Sequence, residues 1–136
     1  MMLEGGCFCG RIRYELLAAP FSSLICHCMD CRRIAGAPFV AWLTVKASEL
    51  RVVRGEPKAI TSSAEVMRTF CGHCGSQLTY RHAKHAGEID VATGTLDEPA
   101  AVPPTLHTWV SQKLPWIVLS DGLPQYARDG QSASGV

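Results

Sequence analysis

The stretch Phe70-Cys-Gly-His-Cys-Gly-Ser76 sets two cysteines three positions apart, with a glycine directly behind the second. Two thiolates at this spacing can grip one ion from a tight turn. The glycine supplies a positive φ at little steric cost, which lets backbone N–H groups turn toward the sulfurs and offset their charge. A redox reading of the same C-x-x-C asks for a βαβ setting, and the flanking sequence does not supply one. Phe70–Ser76 therefore reads as a metal knuckle. Cys7-Phe8-Cys9-Gly10 is a second, tighter pair, again followed by glycine. Together Cys7, Cys9, Cys71 and Cys74 provide four thiolates, enough to close a tetrahedral zinc site. Such a site would pin the N-terminal strand to the middle of the fold. A full thiolate shell leaves no place for substrate, so this ion would be structural, its binding energy belonging to folding.

The remaining cysteines stand together in ICHCMDCRR, Ile25 to Arg33. Cys26, Cys28 and Cys31 can occupy one face of a tetrahedron. Three protein ligands with an exchangeable fourth position are the arrangement of a catalytic zinc. Three thiolates on Zn²⁺ sum to a net charge of −1, which Arg32 and Arg33 could offset, or the two arginines could hold an anionic ligand. The plainer reading of that pair is two solvated surface charges. The open position suits an exogenous thiol, which zinc would hold as a nucleophilic thiolate. Water is the other candidate, acidified less well because three thiolates already donate so much charge. Spacing leaves a second pairing open, in which two cysteines of the triplet join Cys71 and Cys74 and leave Cys7 and Cys9 without metal.

The chain has 136 residues, 47% of them hydrophobic, and a formal net charge of +1. That length suits one domain, expected over residues 1–130, with a small polar tail at 131–136. A net charge near zero gives no electrostatic reason to expect nucleic acid or a membrane surface as partner. The N-terminus MMLEGGCFCG lacks the pattern of a signal peptide, and no stretch approaches the ~20 apolar residues of a membrane helix. A cytoplasmic location is expected. There, seven cysteines are better read as ligands or catalytic thiols than as disulfides, and their odd number points the same way.

Between the cysteines the chain reads mainly as strands. Ile12, Tyr14 and Leu16 alternate with Arg11, Arg13 and Glu15, a period of two. Further strands are expected over Phe39 to Val45, Leu50 to Val53, Val66 to Phe70, Gln77 to Arg81 and Glu88 to Thr93. Glycine and proline punctuate them, as in Arg54-Gly55-Glu56-Pro57. Helix is minor: one or two short turns at Cys28 to Ala35 and Asp97 to Ala101.

GGCFCGRIRY at 5–14, CHCMDCRR at 26–33, FCGHCGSQL at 70–78 and LHTWVSQKLPWIVLSDGLPQY at 106–126 resemble the glutathione-dependent formaldehyde-activating enzyme family, which also includes centromere protein V. Their order and spacing match from Gly5 to about Tyr126. The resemblance implies a mainly β fold, a zinc-stapled β-tent of antiparallel sheets. It implies two zinc ions per chain, a structural one on Cys7, Cys9, Cys71 and Cys74 and a catalytic one on Cys26, Cys28 and Cys31, where glutathione coordinates. The implied reaction is a carbon–sulfur lyase equilibrium between formaldehyde, glutathione and S-(hydroxymethyl)glutathione. Arg32 and Arg33 would bind the carboxylates of the thiol.

Other histidines are read as bystanders. His82 and His85 have a spacing that binds metal on a helix, but their flanks look like strand and turn. His27 and His73 lie between cysteines and would point away from the sulfurs. His107 and Trp109 fall in a segment that lies near the active-site end in the family, with strand packing an equal reading. The H-x-E of a nucleobase deaminase is absent ahead of Cys71, as are H-E-x-x-H, G-x-S-x-G and a phosphate loop. Three functions are therefore weighed: a zinc-dependent lyase acting on a thiol adduct, a non-catalytic zinc-stabilised binding module, and a redox sensor built on the triplet.

Overall fold

The alternation of Ile12, Tyr14 and Leu16 marks a stretch whose apolar face turns into the core. All three are buried, at 3%, 3% and 0% exposure, while Arg11 stays exposed. The computed structural model describes residues 2–129; the expected tail at 131–136 lies outside the described residues. Ten strands and one α-helix form among the described residues, so the chain is mostly β. They fall into two compact units. Residues 2–22 and 43–102 form one, and residues 23–42 and 103–129 the other.

In the first unit, β1 (Leu3–Gly6), β2 (Arg13–Leu16) and β5 (Leu50–Arg54) make an antiparallel sheet in the order β1-β2-β5. Gly5 faces Tyr14 in this register. A Cβ at Gly5 would stand 2.4 Å from the Tyr14 hydroxyl and 2.5 Å from the Thr95 carbonyl oxygen, so only glycine fits. The Thr95 hydroxyl donates to the Ala92 carbonyl (2.7 Å), so the Tyr14 hydroxyl donates to Thr95 Oγ1 (2.7 Å). Five further strands lie in this unit in the order β4-β9-β8-β7-β6: β4 (Val40–Lys46, of which residues 43–46 belong here), β9 (Glu88–Ala92), β8 (Gln77–His82), β7 (Val66–Phe70) and β6 (Lys58–Ser63). β6 to β9 are antiparallel neighbours. The core gathers Ile12, Tyr14, Leu16, Leu43, Val45, Leu78, Val91 and the thiols of Cys7 and Cys71. Each fully buried Leu or Val contributes about 1.5–3 kcal/mol relative to exposure.

In the second unit, β3 (Ser22–Cys26, from residue 23 on) leads into α1 (Met29–Ala35). The helix falls where sequence places it. Cys28 is its N-cap, with Sγ accepting from the Cys31 N–H, and Gly36 ends it in the left-handed conformation (φ 62°). The second expected turn is the 3₁₀ turn Pro99–Ala101 of the first unit. β10 (His107–Thr108) pairs with β3 in parallel, His107 opposite Ile25 and Thr108 opposite Cys26. This departs from the all-antiparallel expectation. The two strands are separated by a long stretch of chain rather than a hairpin, so nothing forces them antiparallel. No helix among the described residues is long and apolar enough to cross a membrane.

Candidate metal centres

The seven cysteines sort into two groups. Cys7, Cys9, Cys71 and Cys74 bring their sulfurs within 4.8 Å of one another in the first unit, and Cys26, Cys28 and Cys31 do the same in the second. The alternative pairing of the triplet with Cys71 and Cys74 is not the one the fold assembles.

The four-thiol group is built from two turns. Cys7 N donates to the Ile12 carbonyl and Gly10 N to the Cys7 carbonyl; Cys71 N donates to the Ser76 carbonyl and Gly75 N to the Cys71 carbonyl. Gly10 (φ 80°) and Gly75 (φ 82°) take the left-handed conformation expected of them, with open space around both, so backbone conformation rather than room selects glycine. The N–H groups do turn toward sulfur: Ile12 N stands 3.3 Å from Cys7 Sγ, and His73 N and Cys74 N each 3.4 Å from Cys71 Sγ. Cys7 Sγ lies 3.5 Å from Cys9 Sγ, which lies 3.8 Å from Cys71 Sγ. A tetrahedron with Zn–S bonds of about 2.3 Å has edges of about 3.8 Å, so these sulfurs fit zinc. Ser76, which sequence reasoning passed over, joins the two turns. Its hydroxyl accepts from Phe8 N (2.9 Å) and lies 3.3 Å from Cys74 Sγ. The Ser76 hydroxyl is the main reason the Cys74 thiol is lowered to about 5.

The three-thiol group sits where β3 gives way to α1. Cys26 ends the strand, Cys28 caps the helix and Cys31 lies in its first turn. Cys26 and Cys31 are buried and Cys28 half-buried. The Cys26 and Cys31 thiols hydrogen-bond to Cys28 and hold it far below the usual thiol range, while Cys28 in turn pushes Cys26 up to about 11. Three thiols this close cannot all ionise unaided, so a cation would stabilise the triply ionised form. Arg32 and Arg33 follow on the same helix and line an open groove of about 330 Å³ with Leu114 and Trp116. Arg32 Nε is buried without a hydrogen-bond partner, and Trp116 is 67% exposed.

The histidines divide. His73 is exposed, and its backbone N–H, not its ring, meets the sulfur. His82 and His85 belong to no thiol or metal-like group; His82 accepts from Lys84 N and lies 3.7 Å from Glu65. His27 also stays outside the convergent thiols, yet it is fully buried and its Nε2 lies 2.9 Å from His107 Nδ1. His107 Nε2 in turn meets Asp121 Oδ2 at 2.7 Å. That contact and the Leu123 N–H hold the Asp121 carboxyl below the usual carboxylate range. Burial is the main cause that lowers the His27 pKa.

Fold and thiols together define a cysteine-rich β protein with two groups able to hold metal. The chain belongs to the glutathione-dependent formaldehyde-activating enzyme family, whose description matches residues 2–112. A Halomonas elongata protein provisionally named as a glutathione-dependent formaldehyde-activating enzyme is 26% identical over 86% of this chain and 80% of its own length. An uncharacterized lyase of Schizosaccharomyces pombe is 28% identical over 58% of this chain and 57% of its own. The crystal structure of a Rhodobacter sphaeroides protein shares the fold, with a TM-score of 0.58 at 22% identity, over 90% of this chain and 98% of that one.

Proposed function

We propose that this chain is a zinc-dependent carbon–sulfur lyase that joins a glutathione-like thiol to an aldehyde such as formaldehyde, or cleaves the adduct. The observation that carries the reading is the sorting of the thiols: four close one group, and three are left on a separate loop. Cys26, Cys28 and Cys31 would hold the catalytic zinc, and Cys7, Cys9, Cys71 and Cys74 the structural one. The catalytic ion, when bound, supplies a Lewis-acidic centre that keeps a thiol deprotonated at neutral pH. In the forward direction the sulfur–carbon bond forms, the carbonyl π pair moves to oxygen, and the proton given up by sulfur ends on that oxygen. Arg32 and Arg33 would offset the negative charge of the triplet and hold the carboxylates of the thiol in their groove, with Trp116 as its apolar wall. The site of action in this reading is the cytoplasm, where thiol ligands stay reduced.

The test is two-sided NMR exchange between glutathione, formaldehyde and their adduct. The zinc-loaded chain is expected to accelerate exchange over the spontaneous rate, Cys28→Ser to abolish the acceleration, and Arg32→Ala to raise KM more than it lowers kcat. A loaded chain that leaves the spontaneous rate unchanged with glutathione and smaller thiols would favour the non-catalytic zinc-stabilised module instead.

A further inference from the structure

The loop that carries the triplet is held by one short segment of the second unit. Ile25 N donates to the Leu106 carbonyl (3.0 Å) and His27 N to the Thr108 carbonyl (3.1 Å). Met29 N, at the start of α1, donates to Gln112 Oε1 (2.7 Å). Between these anchors the His27 ring reaches His107, and His107 reaches Asp121. Both rings are buried, at 0% and 2% exposure, whereas the Asp121 side chain is 42% exposed. Trp109, the one non-glycine residue with positive φ among the described residues (56°), turns the chain between His107 and Gln112. Backbone strain of this kind persists where the surroundings over-determine it.

The proton positions follow from what each group can do. An ionised carboxylate only accepts, so His107 donates from Nε2. A neutral His107 then offers a lone pair at Nδ1, and His27 donates to it from Nε2. That leaves a bare nitrogen at His27 Nδ1, which is buried and has no hydrogen-bond partner. A buried, half-satisfied ring costs free energy. It is kept at the residue that separates Cys26 from Cys28, and its other nitrogen is fixed.

We propose that Asp121, His107 and His27 form a positioning chain that locks the three-thiol loop in its metal-holding shape, tying the residue between Cys26 and Cys28 to a carboxylate at the surface. None of the three is a ligand in this scheme; they act through the backbone that presents the thiols. The chain rests on the triplet's holding a metal, which is one part of the function proposed above.

The test is cobalt(II) titration of the full chain, followed by thiolate charge-transfer absorption, together with ¹⁵N NMR of the histidine rings in the zinc-loaded protein. The parent is expected to bind two cobalt ions and to show His27 with its proton on Nε2. Asp121→Asn, at a half-exposed position, is expected to lower the affinity of the triplet about tenfold, within the range for residues that orient ligands. It should leave the four-thiol spectrum as in the parent and take His107 off its single tautomer. His107→Gln should weaken the triplet at least as much, and Asp121→Glu should restore part of the loss. Unchanged triplet affinity in both disrupting variants overturns the proposal, as does a His27 proton on Nδ1 or equal loss of both cobalt sites. A parent that binds one cobalt overturns the metal reading and the positioning chain with it. The affinity readout is independent of turnover, so the expected losses support the chain even where no lyase activity is found.

Discussion

Ser76 shows how one hydroxyl can serve two turns at once. It accepts from Phe8 N in the first and lies against Cys74 Sγ in the second. Its effect on Cys74 carries a pH signature in the metal-free chain. Cys74 is lowered from 9.0 to about 5 on folding, so its contribution to stability is full above pH 9.0 and lost as pH falls through about 5. Denaturation midpoints in the presence of a chelator are expected to drop across that window. Ser76→Ala should flatten the drop, and alkylation of Cys74 should move to higher pH. At this scale the thiols were legible in sequence, because each motif is local and the chemistry of cysteine leaves few alternatives. The pairing of His27 with His107 was not, since the partners stand 80 positions apart and nothing near either one names the other. Asp121, with a conventional loop context in LSDGLP, carried no local signal either.

At the scale of elements, β2 sets the standard. Its partner β1 approaches so closely at Gly5 that a methyl group would strike both the Tyr14 hydroxyl and the Thr95 carbonyl. Gly5→Ala is therefore expected to destabilise the chain by about 1–3 kcal/mol through overpacking, as measured by chemical denaturation. Gly10→Ala, with open space around it, should cost only about 1–2 kcal/mol for its left-handed backbone. β2, β4, β5, β7, β8 and β9 lie within two residues of where the sequence puts them, β2 by its alternation and the others as short runs between turn signals. β6 was missed because all six of its residues, Lys58–Ser63, are exposed and, unlike the similarly exposed β5 with its Val52-Val53 pair, it offers no apolar β-branched pair to mark a strand. β1 hides behind its glycines, and β10 is only two residues long, held by its neighbours rather than by propensity.

For the whole molecule, the two groups of thiols belong to different units, and the chain passes between the units three times. None of the three crossings is marked by a long linker, which is why the division could not be read in the sequence although the motifs on each side could. The assignment of one group to each unit gives a clear expectation for metal removal. Cys71→Ser should compromise folding of the first unit, whose core includes Cys7 and Cys71. Cys26→Ser should lose one zinc and leave that core folded. Elemental analysis with circular dichroism checks both: two zinc ions per parent chain under reducing, metal-replete conditions, one per Cys26→Ser chain with native spectra, and loss of native signal in Cys71→Ser. Equal unfolding in both variants would make the triplet a structural site as well.

The left-handed backbone of Trp109 has a consequence for anyone engineering this chain. An L-residue pays about 1–2 kcal/mol there that glycine would not. Substitutions that relieve such strain are among the easiest stabilising changes to find. A screen for heat resistance alone would thus drift toward glycine at 109, and loosen the turn between His107, which meets His27, and Gln112, which accepts from Met29 N. If the positioning chain acts as proposed, thermal robustness and metal affinity pull in opposite directions at this position, so a library aimed at both should hold residue 109 fixed.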